Sequence, residues 1–318
     1  MTPRPVVILC TRNRPESCRQ ALSSLLAARR VGCQIIVVDQ SADERSHSAL
    51  RLIPGAPEAI TYVRSPRRGL SAARNDGVKL ADGDLLLFTD DDCRVEPDWV
   101  EAWCRGLEGL PMIGIAFGAV ASPAVDRRAG FVSEFCPTDR SFGIELFRRR
   151  VPIGIGANMA LRREALDRVG PFDEGLGAGT PVAAGEELDF AYRVVRAGYQ
   201  VGHLTAPRVW HDGYRAGVDA TRLYAGYVTG TASMHVKHAR CGDRVAAALI
   251  LGEVAGRLGY LLRSSLTGRR PLGARSVASY LTAAMASWRR PLDRRRRLYR
   301  AEDNVWPVEA RRSEVPAR

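Results

Sequence analysis

The chain has 318 residues, 46% hydrophobic and 26% charged, which excludes a disordered, collagen-like or coiled-coil protein and suits one large domain with or without an appendage. The net charge is +12, and it is localised: residues 216–318 hold 19 basic and 8 acidic side chains, residues 1–215 hold 28 and 27. So balanced a front argues against a nucleic-acid cleft, and no nucleic-acid partner is expected.

The first apolar run, Val6-Val7-Ile8-Leu9-Cys10, is continuous, as in a strand buried on both faces. It is too short for the hydrophobic segment of a signal peptide. A polar turn follows, Thr11 to Glu16, in which Pro15 and Glu16 suit the first turn of a helix. Ala21, Leu22, Leu25 and Leu26 then recur at helical spacing, and Gly32 ends the element. Gln34 to Asp39 is a second buried strand with a carboxylate at its end, and Ile60 to Val63 a third. Pro66-Arg67-Arg68-Gly69 turns the chain into a helix through Leu70 to Asn75. A fourth strand, Asp84 to Thr89, runs directly into Asp90-Asp91-Asp92.

This alternation predicts an α/β fold: a Rossmann-like, mainly parallel open sheet flanked by helices, over residues 1–215. Ligands in such sheets bind beyond the C-terminal strand ends. Three consecutive aspartates repel one another there unless a cation neutralises them, and hard ions such as Mg²⁺ or Mn²⁺ prefer oxygen ligands. A Gly-rich stretch, Gly175 to Thr180, has the composition of a loop that closes over a ligand. It precedes Gly185-Glu186-Glu187-Leu188-Asp189, whose carboxylates suit either a helix N-terminus or a general base with its support. His211 follows at the end of another apolar stretch, where a neutral imidazole can complete a carboxylate metal shell. Seven scattered cysteines without a C-x-x-C pair suggest neither a zinc site nor a disulfide framework, so a reducing cytoplasm is expected.

Together these motifs resemble glycosyltransferase family 2, the inverting nucleotide-sugar transferases of the GT-A fold. Those carrying the resemblance are Val6 to Glu16, Val37-Val38-Asp39, Gly69 to Gly77, Phe88 to Asp92 with Pro97, Gly154 to Ala160 with Arg162-Arg163 and Gly170 to Glu174, Gly185-Glu186-Glu187, and Trp210-His211. The resemblance implies a nucleoside-diphosphate sugar as donor and Mn²⁺ or Mg²⁺ as cofactor. It implies that Thr11, Arg12, Asp39, Arg74, Asp90 and Asp91 bind the nucleotide, that Asp92 and His211 hold the metal, and that Glu187 is the catalytic base. Glu186, Asp189 and Asn158 are its candidate supports. Glutamate stands at 187 where the family commonly has aspartate, so the base reaches one methylene further.

The C-terminal third predicts a helical appendage over residues 216–303 and a disordered tail over 304–318. Val245 to Leu262 is apolar but carries Glu253 and Arg257, which makes a poor membrane span and suits an amphipathic helix. Val277 to Trp288 is a second such segment, followed by Arg289-Arg290 and Arg294 to Arg297. Apolar helices with Trp and clustered arginine fit an anionic membrane surface, hence a peripheral place on the inner face of the cell membrane and a glycan or lipid-linked acceptor. Two other functions remain open. A nucleotidyltransferase would need a Gly-rich phosphate loop after the first strand, and Thr11 to Pro15 contains no glycine. A catalytically inert nucleotide-sugar-binding protein would have no need of the carboxylates and His211.

Overall fold

The computed structural model describes residues 3–29, 32–123, 130–266 and 272–300. In chain order, β1 (Pro5–Thr11), α1 (Pro15–Ala27), β2 (Gln34–Asp39), α2 (Arg45–Arg51), α3 (Ala56–Ala59), β3 (Ile60–Arg64), α4 (Leu70–Leu80) and β4 (Leu85–Asp90) form the alternating front. Next come β5 (Cys93–Val95), α5 (Trp99–Gly106), β6 (Ile113–Ala121), β7 (Gly130–Phe131), β8 (Arg140–Phe142), α6 (Glu145–Arg148), β9 (Asn158–Arg162), α7 (Arg163–Val169), α8 (Glu186–Arg196), β10 (Gln200–His211) and β11 (Arg215–Ala216). Three long helices follow, α9 (Gly217–Arg240), α10 (Arg244–Leu266) and α11 (Leu272–Arg289), then a hairpin of β12 (Leu292–Asp293) and β13 (Leu298–Tyr299).

The continuous apolar runs are strands because both faces are covered. Val7, Leu9, Ile35, Val37, Leu85 and Leu87 enter the core on one side of the sheet. Their neighbours Val6, Ile8, Ile36, Val38, Leu86 and Phe88 enter the other. One central sheet of nine strands runs β3-β2-β1-β4-β9-β6-β10-β5, with β8 paired to β10. Six of the nine point the same way, and β9, β5 and β8 are reversed, so the sheet is mixed but mostly parallel. Helix α4 lies close on it because Gly77 has no side chain: a Cβ there would sit 2.5 Å from Ile8 Cγ2.

The C-terminal helices are packed onto the sheet domain. The α8–α9 joint contains a fully buried ion cluster: Lys237 Nζ lies 2.5 Å from Asp173 Oδ2 and 2.6 Å from Asp189 Oδ1. His238 Nε2 is 2.8 Å from Asp189 Oδ1, and Arg193 Nε donates to Asp189 Oδ2 at 3.0 Å. A buried charge cluster holds only when its oxygens are satisfied in this way. The terminal hairpin closes on the same place, with Tyr299 N donating to Asp173 Oδ2 at 3.0 Å. The tail expected from residue 304 lies outside the described residues.

Helix α10 is apolar on two sides. Two of its charges are drawn inward, where Glu253 pairs with Arg257 at 3.0 Å and with Arg150 at 3.1 Å. Ala246, Leu249, Ile250 and Val254 pack inward, while other apolar side chains stay outside: Leu251 is 73% and Leu262 65% exposed, and on α11 Trp288 and Met285 are each 60% exposed. Among the described residues, one helix is long and apolar enough to cross a membrane, Arg244–Arg263, with mean hydropathy 1.6.

Candidate active site

The site begins where parallel strands end. Thr11 of β1 pairs with Asp39 of β2, and Cys10 pairs with Asp90 of β4, so the last residues of three neighbouring strands form one edge. Asp39 is buried, with Oδ1 accepting from Ser41 N at 2.7 Å and Oδ2 accepting from the Tyr62 hydroxyl at 2.8 Å. Arg12 is exposed on the turn after β1.

Beyond β4 the aspartates diverge. Thr11 Oγ1 donates to Asp91 Oδ2 at 2.8 Å. Arg14 Nη1 donates to Asp91 Oδ1 and to Asp92 Oδ2, both at 3.0 Å. Strand β5 then returns antiparallel to β10 with Cys93 opposite His211, and Asp212 N donates to Asp92 O at 2.9 Å. That pairing puts His211 Nε2 3.3 Å from Asp92 Oδ1. Burial pushes Asp90 up to about 6, opposed by Arg74 and reinforced by Asp92, and burial also raises Asp91. The sequence puts Arg14 in the polar turn after β1 without giving it a role of its own, and nothing in it marks Cys93 as a site residue.

Residues Asp92, Cys93 and His211 fit a divalent cation. Their ligand atoms lie within 4.8 Å of one another. Gly213 keeps the adjacent space open, since a Cβ there would meet His211 Nε2 at 2.8 Å and Asp92 Oδ2 at 2.9 Å. Burial raises the Cys93 thiol well above its ordinary value, so a hard ion would rely on the Asp92 oxygen and the His211 imidazole.

The second wall is the start of α8. Gly185 adopts φ +93°, and a Cβ there would lie 2.8 Å from Gly230 Cα of α9, so two glycines set how closely these helices approach. Arg74 of α4, nearly fully buried, links the two walls. Its Nη1 donates to Glu186 Oε1 at 3.1 Å, and its Nη2 is 3.7 Å from Asp90 Oδ1. Glu187, half-buried, is pushed up to about 8 by burial first and then by the charge of Glu186, with Arg74 opposing. The Tyr227 phenol of α9 is raised by burial and by the charges of Glu187, Glu186 and Asp90, which sets it beside this group although nothing local in the sequence marks it.

Three expected features sit elsewhere. Asp189 does not accompany Glu187: both its oxygens are taken by the buried cluster of Lys237, His238 and Arg193, because residues two apart on a helix do not share a face. Asn158 is fully buried in the sheet, accepting from Trp99 Nε1 at 2.9 Å and donating to Ala119 O and Pro207 O at 2.8 and 2.9 Å. The Gly-rich stretch is docked rather than free: Leu70 N donates to Ala178 O at 2.9 Å and Ser71 Oγ to Leu176 O at 2.8 Å.

Solved structures share this architecture. The chain is similar to a mannosyltransferase, PcManGT from Pyrobaculum calidifontis, solved with GDP-Man and Mn²⁺: TM-score 0.59, 18% identity, 91% of this chain and 87% of that one. It is similar to residues 1–349 of S. aureus TarS, solved with UDP-GlcNAc: TM-score 0.58, 15% identity, 89% and 91% covered. The fold is thus that of the GT-A glycosyltransferases. Within that class the chain belongs to glycosyl transferase family 2, whose model matches residues 6–170. It is 26% identical over 179 residues to the glucosyl-dolichyl phosphate glucuronosyltransferase of Haloferax volcanii, covering 54% of this chain and 56% of that protein. It is 30% identical over 209 residues to the succinoglycan biosynthesis protein ExoM of Rhizobium meliloti, covering 64% of each. The chain thus spans somewhat under two thirds of these relatives' length.

Proposed function

We propose that the protein is an inverting, divalent-cation-dependent glycosyltransferase that moves a sugar from a nucleoside-diphosphate donor to an acceptor hydroxyl in glycan or glycolipid synthesis at the cell envelope. The observation that carries this reading is the link made by Arg74 between Asp90 at the end of β4 and Glu186 at the start of α8, which joins the two acidic walls at the strand ends where ligands bind. Asp92 and His211 would hold Mn²⁺ or Mg²⁺. That ion would supply Lewis-acid neutralisation of the departing diphosphate. Thr11, Arg12, Asp39, Asp90 and Asp91 line the nucleotide side, with the Arg12 guanidinium free to stack on a base. Arg74 is a positioning residue, since its guanidinium is spent on Glu186 and Asp90.

In the reaction Glu187 takes the acceptor's hydroxyl proton as that oxygen bonds to the anomeric carbon. The bond from that carbon to the diphosphate oxygen breaks on the opposite face, and the diphosphate leaves with the electron pair. One displacement inverts the carbon, and no carboxylate nucleophile takes part. The test is a panel of nucleoside-diphosphate sugars in a thermal melt. The matching donor is expected to raise Tm with Mn²⁺ and to do little with EDTA, because a ligand of the native state stabilises it. No stabilisation by any donor would refute the reading, and stabilisation without transfer would leave the inert nucleotide-sugar-binding protein in its place.

The outward leucines of α10, with Trp288, Arg289 and Arg290 of the α11 end, support a peripheral position on an anionic membrane face. Full-length protein is expected to sediment with vesicles containing phosphatidylglycerol. Changing Leu251, Leu258 and Leu262 together to Glu is expected to cut the bound fraction at least tenfold. Equal sedimentation of the triple variant would refute the membrane face.

A further inference from the structure

A cavity of about 760 Å³ lies between the α6–β9 connection, α8, α9 and α10. Its walls are mostly apolar, from Leu146, Val151, Leu188, Met234, Ala248 and Leu249. Its charges are one-sided: Arg148, Arg150 and Arg244 line it against the single carboxylate of Glu253. Arg150 is spent on Glu253 and on the Gly252 carbonyl, which among the described residues leaves Arg148 and Arg244 as the lining cations for an incoming anion. The volume falls within the roughly 300–1,000 Å³ of ligand pockets.

The cavity reaches the two helices that hold the reacting centre, α8 and α9. Leu188 in its wall follows Glu187 directly. Thr231, also in the wall, follows Gly230, and Gly230 is the residue against which the start of α8 is packed. The far wall belongs to α10, which lines the cavity with Val245, Ala248 and Leu249 and exposes Leu251, Leu258 and Leu262 outside it. The cavity therefore spans from α10 to the residue that follows the base, with two arginines in its lining.

We propose that this cavity receives the apolar chain of a lipid-phosphate acceptor, whose phosphate meets Arg148 and Arg244 and whose reacting hydroxyl is delivered to Glu187. The inference rests on the sugar-transfer reading and names the acceptor class for it. Burial of each methylene strengthens binding by a constant increment, so affinity follows chain length until the cavity is full.

The test titrates butyl, octyl and dodecyl phosphate, below their micelle concentrations, into the full-length protein by calorimetry, with inorganic phosphate as the chain-free control. Affinity is expected to rise by about fourfold per added methylene, and inorganic phosphate to give no measurable heat. Ala248→Trp, which fills the cavity, is expected to weaken octyl phosphate at least tenfold, whereas Leu251→Ala on the outer face changes it less than twofold. Arg148→Glu with Arg244→Glu, two exposed positions that spare the fold, is expected to weaken octyl phosphate at least fivefold and leave octanol unchanged. A flat chain-length series, a silent Ala248→Trp variant that melts like the parent, or octanol binding as well as octyl phosphate overturns the proposal. Nucleoside-diphosphate sugars are titrated with Mn²⁺ in parallel. Donor binding without a chain-length effect sinks the cavity alone, and a chain-length effect without donor binding sinks the transfer reading alone.

Discussion

Replacing Asp92 with Ala is expected to abolish Mn²⁺-dependent donor binding and to lower transfer by on the order of 100- to 1,000-fold, the scale on which electrostatic stabilisation of a leaving group is lost. The substitution removes a side chain that lies within reach of both His211, at 3.3 Å, and Arg14, at 3.0 Å. It leaves Asp91 tied to Thr11 and Arg14, so the turn keeps its shape. Burial and mutual repulsion already raise Asp90, with Asp92 among the causes, so deleting that charge relieves strain in the free protein. The variant is therefore expected to melt no lower than the parent without metal, while losing the rise in Tm that donor and Mn²⁺ confer together. Calorimetric titration of Mn²⁺ measures the ion directly. Undiminished Mn²⁺ affinity in Asp92→Ala would remove Asp92 from the metal site.

What the sequence made legible, and what it hid, follows from how far each contact reaches along the chain. The strand ends were readable because a both-faces-buried strand is a continuous apolar run, and Asp39 and Asp90 to Asp92 stand where such runs stop. The parallel register of β1 with β2 and β4 then brings them to one edge, as the βαβ alternation demands. Arg14 was hidden although it lies in a turn the sequence marks, because its partners Asp91 and Asp92 are 77 and 78 residues away. The same distance hid the meaning of Glu253 and Arg257. At four-residue spacing they read as a polar interruption of an apolar segment. Arg150, 103 positions before Glu253, draws them inward and leaves the leucines outside. His238 and Lys237 had no context in the sequence, yet they bind Asp189 and thereby decide which carboxylate of α8 is spent on structure and which remains for chemistry.

That division of labour on α8 governs the second large effect. Glu187→Gln is expected to lower transfer by about 100- to 10,000-fold, the range supplied by a positioned general base, while donor affinity with Mn²⁺ changes less than twofold. The amide keeps the shape of the carboxyl but cannot take the acceptor proton. In the parent the carboxyl is pushed up to about 8 by burial, with the Glu186 charge as the next cause. A raised carboxyl is inactive as a base below that value and active above it, so kcat/KM is expected to climb tenfold per pH unit up to about 8 and then level off. The same shift makes the folded state hold a proton that the unfolded chain has released, so Glu187 subtracts stability as pH rises from the ordinary carboxyl range to about 8. Glu186→Gln separates base from neighbour: it removes a charge that raises Glu187, so the acid limb of kcat/KM is expected to move to lower pH while the plateau falls as the Arg74 hydrogen bond loses its ionic partner. An acid limb that stays fixed in Glu186→Gln would assign the titration to another group, and full turnover by Glu187→Gln would remove the base from this helix altogether.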